Sequence, residues 1–159
     1  MKLRKPQLAL KLDCVAAATG ARRAGEDLPW LGRRLKLVLD TDYRQPTRVG
    51  DELHLPLPPA ASDRQIRDAA ESWLRDEAQR VFTAIVAEVA AHNDAPPPVA
   101  LAFGKQGDWA RLQEGRLRCQ WRLIGQSRPV IVQVLAAALA RDSSCNAPRD
   151  MFCGPPHDA

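Results

Sequence analysis

The stretch Gly104 to Arg141, GKQGDWARLQEGRLRCQWRLIGQSRPVIVQVLAAALAR, carries the reading of the whole chain. It has a short strand signal at Trp109-Ala110-Arg111, turn residues at Gly104, Gly107 and Gly115, and a Trp-bearing strand from Arg116 to Trp121. In that second strand Arg118 and Gln120 alternate with Leu117, Cys119 and Trp121, the two-residue period of a sheet with one polar and one apolar face. Pro129 then suits the first turn of a helix, because its missing amide hydrogen would have been unpaired there anyway. Val130, Ile131, Val134, Leu135, Ala138 and Leu139 form a broad apolar helical face. Gln133, Ala137 and Arg141 follow at four-residue steps and stack along the polar side.

Outward from this stretch, the same two periods recur. Leu35, Leu37 and Leu39 alternate with polar neighbours, as do Leu53, Leu55 and Leu57. The segment between them, Asp42 to Asp51, is polar with Pro46 and Gly50 as turn residues. Two strands of one antiparallel sheet are expected. His54 falls on the polar side of its strand and is expected to face solvent. Ser62-Asp63-Arg64-Gln65 is a capping box, in which the Ser oxygen accepts from the backbone three residues on and Gln reaches back to the Ser amide. A long helix is therefore expected from Asp63 to Ala91, with Leu74, Ala78, Val81, Ile85 and Val89 as its stripe and Pro96-Pro97-Pro98 as its stop. His92 would lie in its last turn. Val99 to Phe103 is a further strand candidate. Leu8, Leu10 and Leu12 alternate as a possible edge strand.

At 159 residues the chain fits a single domain, a size at which folding removes about 68–70% of the unfolded surface from water. Residues 1–27 read as a variable amino-terminal segment and residues 142–159 as an irregular tail. The net charge is +4, mostly from arginine, which permits contact with nucleic acid or an acidic protein without demanding it. Lys11 and Asp13 interrupt what would have to be the apolar core of a signal peptide. No run of about 18 uncharged apolar residues exists for a membrane span. A cytoplasmic protein with no membrane association is expected. Cys14, Cys119, Cys145 and Cys153 show no C-x-x-C spacing and read as thiols. Cys145, Cys153 and His157 form one weak alternative metal set, since thiolate and imidazole suit zinc. No phosphate-binding loop, Gly-x-Ser-x-Gly elbow or dinucleotide fingerprint is present. A Cys-His hydrolase on Cys119 or Cys145 would have only His54, His92 and His157 to draw on.

The order of segments from Leu28 to Phe152 resembles the YgjP-like (SprT-related) metallopeptidase family. Leu28-Pro29-Trp30-Leu31-Gly32-Arg33 is similar to its Gly-centred approach to a strand, and Trp73 to Ala78 to the middle of its long helix. Trp121-Arg122-Leu123-Ile124 is similar to its Asn-Trp-Arg-Leu-Ile strand. The resemblance implies an α+β, zincin-like fold: a small mixed or antiparallel sheet packed on the long helix and a buried helix, Val130 to Ala140, that would carry His-Glu-x-x-His. In this chain the first histidine falls on Ala137, the glutamate on Ala138 and the second histidine on Arg141. The third-ligand segment matches Asn146-Ala147-Pro148, with Ala147 at the ligand. Zinc hydrolysis needs two imidazoles one helical turn apart, a third ligand and a carboxylate base; none of the four is present. The upstream turn departs as well, with Asp108 where the family has Arg and Ala110-Arg111-Leu112 where it has Gly-Ser-Cys.

What the resemblance then implies is a pseudoenzyme without cofactor, binding an extended peptide or protein. In zincin-like folds an edge strand beside the metal helix receives the substrate backbone, a role that would fall on Arg116 to Trp121. Trp109, Arg118, Gln120, Arg122, Gln133 and Arg141 would line that groove. The alternatives are a metal-dependent hydrolase rebuilt on Cys145, Cys153 and His157, and a module making weak nucleic-acid contacts through Arg22, Arg23, Arg33 and Arg34.

Overall fold

In the computed structural model, residues 25–91, 95–104 and 107–143 are described. The expected strand at Leu8 to Leu12, His92, Arg22 and Arg23 lie outside them. The elements run β1 (Asp27–Trp30), β2 (Arg33–Leu39), β3 (Thr47–Val49), β4 (Glu52–Leu55), α1 (Asp63–Val89), β5 (Val99–Ala102), β6 (Ala110–Gln113), β7 (Arg116–Gln120), a 3-10 helix (Trp121–Gly125) and α2 (Arg128–Ser143). This is an α+β chain with two small mixed sheets and two helices. It clusters into two compact units, one within Met1–Glu77 and Ile124–Ser127, the other within Ala78–Leu123 and Arg128–Ala159.

The first unit holds a four-stranded sheet in the order β1-β2-β4-β3. Its β1–β2 hairpin turns on Leu31 and Gly32, both at positive φ (46° and 75°), the two-residue loop whose twist matches that of the flanking strands. Leu31 is an uncommon residue for this conformation. Backbone bonds hold it: Leu31 N donates to the Ile124 carbonyl at 2.8 Å, and Gly32 N to that of Gly125 at 3.3 Å. A Cβ on Gly32 would meet Cα and Cβ of Ser127 at 3.0 Å, so glycine is needed for space as well as conformation.

One expectation is corrected here. β2 and β4 pair in parallel, with Leu37 opposite Leu53 and Leu39 opposite Leu55, instead of antiparallel. The reason is β3, which lies within the segment read as polar loop and pairs antiparallel with β4 from Thr47↔His54 to Val49↔Glu52. That extra reversal brings β4 back along β2. The alternating leucines still bury one face: Leu28, Leu35, Leu37, Leu53 and Leu55 are at most 1% exposed. Arg48 lies over the Trp30 ring at 4.8 Å, and the Trp30 and Trp73 rings are 6.3 Å apart.

Helix α1 starts at the capping box. Ser62 N donates to Gln65 Oε1 at 2.9 Å and Gln65 N donates to Ser62 Oγ at 3.3 Å, so two amides of the helix start are satisfied reciprocally. The helix ends at Val89, two residues before the expected Ala91.

The second unit holds a three-stranded sheet in the order β5-β7-β6. β6 and β7 form a hairpin around Glu114 and Gly115, again both at positive φ. β5 runs parallel to β7 from Val99↔Leu117 to Ala102↔Gln120. Gln79 on α1 donates to the Val99 carbonyl at 3.0 Å, and Arg128 at the start of α2 donates to both carboxylate oxygens of Glu88 at 2.8 Å. Helix α2 packs against β6 and β7, burying Ile131, Leu135 and Ala138. It spans Arg128–Ser143, longer at both ends than Val130 to Ala140.

Candidate functional site

The helical period of α2 distributes its would-be site residues over two sides. Gln133, Ala137 and Arg141 are exposed, whereas Ala138 is 3% exposed. None of Ala137, Ala138 and Arg141 offers a lone pair to a metal, since alanine has no donor and guanidinium stays protonated. Arg141 would also repel a cation: two unit charges 4 Å apart cost about 4 kcal/mol at an effective dielectric of 20. These residues do not fit a zinc ion. Among the described residues no group of three or more His, Cys, Asp and Glu side chains is placed to hold a metal. Ala147 and the alternative set Cys145, Cys153 and His157 lie outside the described residues.

The groove residues separate on inspection of the sheet. β7, the strand expected to offer a substrate edge, is central, flanked by β5 and β6; that expectation is corrected. β6 pairs with β7 alone among the described strands. Gln120 N donates to the Trp109 carbonyl at 2.8 Å, which fixes Trp109 opposite Gln120 and makes alternate pairs of the ladder hydrogen-bonded. The backbone groups of Ala110 and Leu112 therefore point away from β7, toward an edge that no described strand covers; Ala110 is buried there and Leu112 half-buried. Gln120 is buried, with its amide nitrogen donating to the Gly104 carbonyl, so it braces the loop between β5 and β6 instead of lining a groove. Arg118 is exposed on the outer face of the sheet, Trp109 is half-buried, and Arg122 lies over the Trp121 ring at 5.2 Å.

Cys119 is fully buried, and desolvation pushes its thiol up to about 12. It remains protonated near neutrality and is neither a nucleophile nor a metal ligand there.

His54 differs from its expectation. Its side chain is 14% exposed, with Nδ1 3.2 Å from Asp40 Oδ2 and Nε2 3.4 Å from Glu52 Oε2. Tyr43 packs on the ring at 4.9 Å. The period of β4 predicts the polar side correctly but carries no information on Asp40, fourteen residues away, or on the covering tyrosine.

The α+β elements, with a long helix before the hairpin and a shorter helix after it, define a zincin-like peptidase domain. A family model of the YgjP-like metallopeptidase domain matches residues 4–136. The chain belongs to the YgjP-like metallopeptidase family. The match stops one residue before Ala137. No curated protein and no solved structure matches the chain. No helix among the described residues is long and apolar enough to cross a membrane.

Proposed function

We propose that the chain is a non-catalytic member of its family that binds an extended peptide or protein segment. What carries this reading is helix α2: on the register that the resemblance implies, Ala137, Ala138 and Arg141 stand where both imidazoles and the general base would be. Without them there is no Lewis acid and no activated water. Among the described strands β6 nonetheless keeps one unpaired edge, where the amide and carbonyl of the half-buried Leu112 suit pairing with an extended backbone. Support for a retained fold comes from the family match, which runs up to the start of the altered motif.

Elemental analysis of untagged protein tests the catalytic half: no stoichiometric zinc and no hydrolysis of unfolded casein are expected. One zinc per chain, lost on Cys145→Ser or Cys153→Ser, would overturn the reading in favour of a rebuilt metal site. Hydrogen exchange tests the binding half. Added unfolded casein should slow exchange at the Leu112 amide; an unchanged rate there sinks the strand-addition proposal.

A further inference from the structure

The β6–β7 hairpin carries a cluster of arginines on one face of its sheet. Residues that alternate with the buried Ala110, Leu117 and Cys119 point to the opposite face, and there Arg111, Arg116 and Arg118 are all exposed. Arg111 stands directly opposite Arg118 in the ladder, and Arg116 opposite Gln113. Like charges facing each other across strands destabilise a sheet. A carboxylate in place of either arginine would relieve the repulsion. Instead both guanidinium groups donate to one neutral acceptor, Gln113 Oε1, at 3.2 Å from Arg111 and 3.4 Å from Arg118.

No carboxylate among the described residues pairs with any of the three arginines. Glu114 in the turn and Asp108 beside Trp109 are the acidic residues of the hairpin, and neither forms an ion pair with them. Arg34, by contrast, has Asp27 at 3.6 Å. One side of Gln113 thus holds two planar donor forks side by side, with their remaining N–H groups available to an anion.

Toward the other end of β6 an aromatic side chain follows on the same face: Trp109, half-buried opposite Gln120 and two residues before Arg111. A cationic face continued by an aromatic ring is the pattern that takes an unpaired nucleic-acid strand, phosphates on the arginines and a base stacked on the ring. An acidic peptide would satisfy the arginines but has no use for the ring. A duplex hides its base faces from it.

We propose that this face of the three-stranded sheet binds single-stranded nucleic acid. The face and the edge of β6 are different surfaces, so this inference stands or falls separately from peptide binding at the edge. It also differs from a contact through Arg33 and Arg34, which belong to the other unit.

The test is fluorescence anisotropy of a labelled oligothymidylate against the full chain at several salt concentrations. Arg111→Gln with Arg118→Gln should weaken binding at least about tenfold at low salt. It should also make the slope of log affinity against log salt shallower by about 1.4, two phosphate contacts at about 0.7 each. Trp109→Ala should weaken binding by roughly tenfold with the slope unchanged, as loss of stacking requires. Arg116→Gln, at an exposed position outside the Gln113 fork, should give a smaller loss in the same direction. Arg33→Gln with Arg34→Gln should change nothing. The proposal is overturned if the chain does not bind the oligonucleotide, if the Arg111 and Arg118 pair can be replaced without loss, or if the Arg33 and Arg34 pair matters as much. It is equally overturned if polyglutamate or phosphatidylglycerol vesicles bind in preference to the oligonucleotide.

Discussion

Ala137 and Ala138 are neighbours in the chain with opposite surroundings, and the same substitution should separate them. Ala138→Glu places a carboxylate where the side chain is 3% exposed, and should cost roughly 3 kcal/mol of unfolding free energy. Ala137→Glu, on the exposed side, should stay within about 0.5 kcal/mol. Urea unfolding of the two variants is sufficient, and equal losses would contradict the placement of the helix. Combining Ala137→His, Ala138→Glu and Arg141→His should confer at most partial zinc affinity by elemental analysis, because the resemblance aligns Ala147, which has no donor, with the third ligand. Gly32→Ala meets both a positive φ and Ser127 at 3.0 Å, and should cost about 1–3 kcal/mol. Cys119 predicts a pH dependence whose sign is fixed by burial. Its thiol titrates near 9.0 when exposed and at about 12 in the fold, so between those values the unfolded chain has lost a proton that the folded chain keeps. Its contribution to stability is therefore whole below about 9 and is lost as pH rises toward about 12. Cys119→Ala should flatten the stability profile in that alkaline window; an unchanged slope would show that the thiol is not protected.

Among the elements, α1 and α2 were the most legible, since three- and four-residue apolar steps and the Ser62-Gln65 box specify helices from local chemistry alone. Ser62→Ala should weaken α1 by about 1 kcal/mol, seen as a lower urea midpoint at constant slope. The strands show where local reading stops. Leu35 to Leu39 and Leu53 to Leu55 declare themselves by alternation, but alternation has no direction. Strand β3 has only Thr47, Arg48 and Val49, the last two exposed, so no apolar rhythm marks it. Missing it turns a parallel pair into an expected antiparallel one. The centrality of β7 was hidden for a related reason: its partner β5 lies across the Phe103 to Trp109 loop, and a parallel ladder has no turn signature to announce it.

For the molecule as a whole, residues 93 to 156 contain no histidine, so the departure from His-Glu-x-x-His at the register the resemblance implies was legible without coordinates. The arginine face was not legible, because pairing Arg111 with Arg118 depends on the register of a hairpin, and one residue of slip would put those side chains in the core. The Leu31-Gly32 turn bears on how the chain reaches its fold. Its left-handed backbone is anchored by carbonyls of Ile124 and Gly125, which are synthesised long after β1 and β2. The four-stranded sheet can form early, but the anchor for its first turn arrives only when the segment after β7 has been made. Folding of the first unit should therefore show a fast phase that builds the sheet and a slower one, limited by closure of a long loop. Stopped-flow refolding followed by Trp30 and Trp73 fluorescence should resolve both, and Gly32→Ala should alter the slow phase while sparing the fast one.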